Sequence, residues 1–382
     1  MKKSLHDKSP AAGRLKNFIF AVITWFIILS GINFLCGFIA KDQYIALDPL
    51  DARTAVRTYG YFYPNQDKLL LFPGIDPYRV RIDSLGFRSV GVDTGEFLKR
   101  KDTTKILCLG DSVTFGLYVD DEDSYPYRLQ KLIEAAGRKA VALNAGLGGV
   151  SIRDYLYYLK LKVPALRPDV VVLNFCYNDV VDIDRHKVPQ YQRMIDENKF
   201  SLSRTLKRMK MMRMFRRFEM DYRYGRWMRK LKDPKRREIC EKDSKDLEDI
   251  LYVAGEFYGP IVKDPSDEAL KEKWTAFFAA LEELIGYLRA NDIGLLYVFY
   301  PDIYTLFDRG QGYYQDILIE FLNARGVDYI DLRLVFKPRR DDFLKLYNHL
   351  PRDFHLSGEG NQIFAEEVHK KLFGILPQKT QK

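Results

Sequence analysis

Ile106-Leu-Cys-Leu-Gly-Asp-Ser112 is the stretch from which the rest of the chain is read. Four apolar residues run into a Gly-Asp-Ser triplet, a composition that favours turns. A short apolar run closed this way predicts a buried strand over 106–109 that delivers three polar residues at its carboxyl end. Downstream, strand and helix patterns alternate. Helical spacing covers 125–136, an apolar run 140–143, helical spacing again 152–161, and a β-branched run 170–175. A long amphipathic helix over 268–290 precedes a strand over 294–300. A helix over 314–323, a strand over 327–330 and a closing helix over 359–373 follow. Five strands alternating with helices predict an α/β fold, a flavodoxin-like three-layer sandwich whose parallel sheet runs in the order 2-1-3-4-5. No period of 20–50 residues recurs, which excludes a repeat array.

In such a sheet, ligands gather beyond the carboxyl ends of the strands where strand order reverses, here between strands one and three. Four polar signals fall at those ends: Gly110-Asp111-Ser112, Asn144-Ala-Gly-Leu-Gly-Gly149, Tyr177-Asn178-Asp179 and Asp353-Phe354-His355. These residue types suit acyl transfer. A serine hydroxyl needs an imidazole to take its proton, and the imidazole needs a carboxylate to fix its tautomer. Ser112, His355 and Asp353 can fill those roles. The oxyanion needs fixed donors, and the amides of Ser112 and Gly149 with the side chain of Asn178 could supply three.

The four blocks, in this order, resemble the SGNH (GDSL-type) hydrolase family over about residues 105–374. The resemblance implies Ser112 as nucleophile, Gly149 and Asn178 as oxyanion donors, His355 as base and Asp353 as its partner. Two departures stand out. Tyr177 lies close to where the third block usually has Gly, and the acid precedes the His by two residues where many members have three. The two-residue spacing resembles membrane-associated polysaccharide O-acetyltransferases of the alginate type. The α/β-hydrolase alternative fails, because its G-x-S-x-G elbow is absent: Gly116 follows Ser112 by four residues, not two.

Blander readings stand beside each residue. Ser112 could cap a helix and Asn178 close a turn. His349 is the one serious rival to His355. Gly146 and Gly148 read as turn residues shaping the loop around Gly149, and Asp111 and Asp179 as loop holders bonded to backbone amides. No His, Cys or acidic grouping has metal-ligand spacing, so neither metal nor cofactor is expected.

Residues 18–40 form 23 positions without a charge. As a helix they would rise about 34 Å, enough for a hydrocarbon core of about 30 Å. Lys2, Lys3, Lys8, Arg14 and Lys16 precede them, so residues 1–17 should stay in the cytoplasm and the remainder lie outside. A cleaved signal peptide competes, but Phe38 is a poor −3 residue for a cut after Ala40. Residues 41–104 read as a juxtamembrane segment of strands and turns, with the alternating run 78–82, that packs on the main domain. The net charge of +9 is local: +4 over residues 1–17 and +11 over 199–232, leaving −6 elsewhere. A general nucleic-acid binder is therefore not expected. The four cysteines make no C-x-x-C pair and read as buried free thiols rather than a disulfide framework.

A helical insertion over about 182–263 carries that basic segment and seven of the eight methionines. Its interleaved cations, aromatics and methionines suit an anionic membrane surface, or equally a lid or brace over the catalytic domain. An anionic glycan or partner protein is a third target. The expectation for the whole is a single-pass protein of the cytoplasmic membrane whose catalytic domain hydrolyses O-acyl esters. The substrate expected is an O-acetyl ester of an envelope or extracellular saccharide. Transfer of the acyl group to a sugar hydroxyl is the alternative, and an idle membrane-bound scaffold the second alternative.

Overall fold

The structure is a computed structural model. It describes residues 10–39, 43–44, 47, 58–72, 75–100, 102–184, 222, 225–226, 228, 231–262, 268–309 and 313–375. Helix α1, Pro10–Ile39, opens the chain, with proline at the first position where its missing N–H costs nothing. Within it, Leu15–Cys36 is long and apolar enough to cross a membrane, and none of its residues is buried. Three strands follow: β1 (Gln43–Tyr44), β2 (Gln66–Phe72) and β3 (Ile75–Ile82) form a small sheet in sequence order. β3 contains the alternating run, with Tyr78, Val80 and Ile82 turned inward.

The central sheet comprises β4 (Thr104–Gly110), β5 (Ala140–Gly146), β6 (Val170–Phe175), β7 (Gly294–Phe299) and β8 (Asp328–Asp331). All pairs are parallel and the order is β5-β4-β6-β7-β8, the 2-1-3-4-5 order expected from sequence. Ile106, Leu107, Cys108 and Leu109 are all fully buried, as a strand covered on both faces must be. Alternation along the strands splits the core. Leu107, Leu143, Val171 and Tyr297 face α4 (Ile152–Leu166), α6 (Glu268–Ala290) and α7 (Tyr313–Asn323). Ile106, Ala142, Val172 and Leu296 face α3 (Tyr125–Ala135), α5 (Leu247–Val262) and α8 (Gly358–Ile375). Helix α5, part of the stretch read as an insertion, thus belongs to the second helical layer through Ile250, Val253, Ala254 and Tyr258. The basic methionine-rich segment around 199–232 lies almost wholly outside the described residues.

The segment before the central sheet is fastened to it by buried charge. The fully buried Arg88 donates from Nε to Asp121 (2.8 Å) and from its terminal nitrogens to the carbonyls of Phe115 (2.7 Å), Gly116 and Val119 (2.6 Å). The other Asp121 oxygen accepts the backbone N–H and Nε of Arg81, both at 2.9 Å. Tyr158 and Lys162 of α4 donate to the carbonyls of Tyr59 and Thr58. Packing of this segment on the main domain was expected; its ionic fastening was not.

Two local readings are corrected. β5 runs on through Asn144 to Gly146, so these residues belong to the strand and not to a turn after it. Gly146 is needed for close approach: a Cβ there would lie 2.1 Å from the Phe115 nitrogen. Cys108, Cys176 and Cys240 are buried free thiols as read from sequence, whereas Cys36, on α1, is only partly buried.

Candidate active site

β4 ends at Gly110, and Asp111 caps the four-residue helix α2, Ser112–Phe115, by accepting the Val113 amide on Oδ1 at 2.9 Å. The cap turns the chain so that Ser112 stands at the carboxyl edge of the sheet. Phe115 is clasped from the other side by Leu70, Tyr78, Val80 and Ile82 of the small sheet. At the far end of the domain, the loop before α8 brings Asp353 and His355 back to the same edge. His355 Nε2 lies 2.8 Å from Ser112 Oγ, and Nδ1 meets Asp353 Oδ1 in a short contact. Asp353 Oδ1 also accepts the amides of Phe354 (2.7 Å) and His355 (3.2 Å). The two-residue spacing thus suffices for one carboxylate to bind both the ring and the backbone of its histidine.

The electrostatics agree with that geometry. Burial opposes the charged form of both partners. The His355 charge and hydrogen bond, with the two amides, nevertheless hold the Asp353 carboxyl below its ordinary range. Asp353, with a further contribution from Asp111, lifts His355 above its ordinary value against the pull of burial. His349, the rival, points elsewhere. Its ring stacks edge-on to Tyr118 at 5.2 Å, and burial lowers its pKa. Tyr118, which the sequence did not single out, also meets the His355 ring edge-on at 5.5 Å.

Asn178 begins the short helix Asn178–Val181 beyond β6 and borders the same cavity of about 210 Å³ as Ser112, Asp353 and His355. Its Nδ2 donates one hydrogen to Asp111 Oδ2 at 2.9 Å, leaving the second free. Asp111 therefore does more than hold its loop, since it links the cap of the Ser112 helix to the Asn178 amide. Burial raises the Asp111 carboxyl, against the Val113 amide, the His355 charge and the Asn178 bond. Asp179 holds its loop as expected, accepting the Cys176 amide at 3.0 Å. Gly149 is half-buried with φ of +70°, a conformation that suits glycine. Its neighbour Gly148 is the residue that faces Ser112, where an added Cβ would lie 3.8 Å from the serine Cβ. Gly149 is not among the residues lining the cavity. Among the described residues, no group of three His, Cys, Asp or Glu could hold a metal ion.

A serine hydroxyl on an imidazole, a carboxylate behind it and a side-chain amide across the cavity form an arrangement able to activate a nucleophile. A family model described as GDSL-like Lipase/Acylhydrolase matches residues 108–363. No curated protein matches the chain. Similar solved structures include a lipase/acylhydrolase from Enterococcus faecalis, 16% identical, covering 73% of this chain and 100% of that one, with TM-score 0.39. The acetyl xylan esterase AlAXEase is 18% identical, covering 70% and 99%, with TM-score 0.39. A Clostridium thermocellum family 3 carbohydrate esterase is 14% identical, covering 72% and 96%, with TM-score 0.39.

Proposed function

Because the chain belongs to the GDSL-like lipase/acylhydrolase (SGNH) family and is an ester hydrolase, we propose that Ser112 is its nucleophile, His355 its base and Asp353 the partner of that base. The observation that carries this reading is the unbroken chain of contacts from Ser112 Oγ through both ring nitrogens of His355 to Asp353. Ser112 Oγ attacks the ester carbonyl while His355 Nε2 takes its proton. The oxyanion is held by the Ser112 amide and the free hydrogen of Asn178 Nδ2. The carbon–oxygen bond to the alcohol then breaks, and His355 returns the proton to the departing alkoxide. Water, losing its proton to His355, attacks the acyl-serine and releases the acid, restoring Ser112.

The substrate we propose is an O-acetyl ester of an envelope or extracellular saccharide. Its support is topological: Leu15–Cys36 is apolar and long enough to span a bilayer, and the cations before it favour a cytoplasmic N-terminus. The domain would then meet saccharides on the outer side. A fluorophosphonate should label the wild type at Ser112 and leave Ser112→Ala unlabelled. Labelling that persists in a folded Ser112→Ala protein refutes the assignment.

A further inference from the structure

The chain between β6 and α6 closes over the site with its second half, and it does so at two places. It grips the loop that leads to His355. Lys245 donates to the Leu350 carbonyl at 2.7 Å, and Arg352 donates from Nε and Nη2 to the Cys240 carbonyl at 3.2 and 2.9 Å. The Arg352 guanidinium also meets Asp243 at 3.0 Å. Helix α5 then presents two rings to the cavity. Phe257 packs edge-on to Phe354 at 5.5 Å, and Tyr258 meets Phe354 at 5.9 Å and Tyr177 at 4.7 Å. Tyr258 therefore bridges the neighbours of the two sides of the site, Phe354 beside the base and Tyr177 beside Asn178, and Phe257 backs Phe354.

We propose that Phe257 and Tyr258 form the wall of the acyl pocket and restrict it to short acyl groups. This rests on Ser112 being the nucleophile. The cavity of about 210 Å³ that holds Ser112 and His355 is lined along one side by Phe257, Tyr258 and Phe354. The wall is built of ring faces and edges, which offer an alkyl group an apolar surface to pack on. The saccharide half of the ester then lies outside the cavity, and the acyl half inside it. The second half of the stretch read from sequence as a helical insertion is on this account the specificity element.

The test uses the full-length protein in detergent and a series of p-nitrophenyl esters that share one leaving group: acetate, butanoate and octanoate. The wild type should lose kcat/KM steeply between butanoate and octanoate. Phe257→Ala and Tyr258→Ala should each raise the octanoate-to-acetate ratio by about tenfold or more, and Phe257→Leu by less. An unfolded fraction lowers both rates together and leaves the ratio untouched, so poor folding cannot imitate the result. A ratio within twofold of wild type in both alanine variants overturns the proposal, provided fluorophosphonate still labels Ser112. Absence of that labelling in the wild type overturns the nucleophile assignment and this inference with it.

Discussion

Replacing Asp353 by Asn separates the two things a carboxylate does for His355. Asp353 Oδ1 now binds Nδ1 and two consecutive amides, so the wild-type ring carries its hydrogen on Nδ1 and keeps Nε2 free for Ser112. An asparagine of the same shape has one oxygen, so where its NH₂ meets the ring it gives up the two amides that Oδ1 now accepts. That binding forces the hydrogen onto Nε2, where no base remains for the serine. The comparable change in a serine protease triad costs about 10⁴ in rate, or about 5.4 kcal/mol at 1.36 kcal/mol per decade. The second effect concerns pH. Asp353 raises His355 above its ordinary pKa of 6.5 while burial pulls it down. His355 must be neutral to act as base, so wild-type kcat/KM should fall as pH drops through a value above 6.5. Without Asp353, burial dominates and the acid limb moves below 6.5. The defect should therefore be larger at pH 8 than at pH 5. The assay is kcat/KM for p-nitrophenyl acetate from pH 5 to 9 in both proteins. A loss under about tenfold, with the acid limb unmoved, would show that another group orients the histidine.

Asn178→Ala should leave labelling of Ser112 possible but lower kcat by about 10²–10³. Asp111→Asn should cost part of the same factor, because it removes the acceptor that aims the Asn178 amide. In a double-mutant cycle the two losses should not add. Arg88→Met should lower unfolding stability by about 3–5 kcal/mol in urea titrations, since it removes the buried donor of one Asp121 oxygen and of three carbonyls. Gly146→Ala should lower both stability and kcat, as its methyl would lie 2.1 Å from the Phe115 nitrogen and displace the Ser112 helix. Wild-type melting temperature and turnover in that variant would refute this account.

What could be read from the sequence was what repeats or stands next in the chain. Ile106–Leu109 and Val170–Phe175 are apolar throughout because both faces of a parallel strand are covered, and that pattern is visible in a window of six residues. Ser112, Asn178 and His355 were findable because each follows a strand or precedes a helix in a short polar block. The pairings that make those residues a site were not findable in the same way. Asp111 and Asn178 are 67 positions apart, and Arg88 and Asp121 are 33 apart. Neither pair leaves a periodic trace. Asp111 looked like a turn residue, which it is, but burial obliges its second oxygen to find a donor too, and Asn178 supplies it.

The same logic explains why residues 231–262 were harder to interpret than the strands. The apolar positions of a helix in this stretch could be buried against any of several surfaces. Composition cannot choose among these, because each would cover the same apolar stripe. The choice is made by which surface is nearest once the sheet has formed. Ile250, Val253 and Ala254 pack on the sheet face opposite α6, and that fixes the rotation of α5. Phe257 and Tyr258, one turn further on, then line the cavity beside Ser112. A helix whose inner stripe is needed for the core thus delivers its next turn to the substrate. Its aromatic residues serve the reaction by the same packing that serves stability.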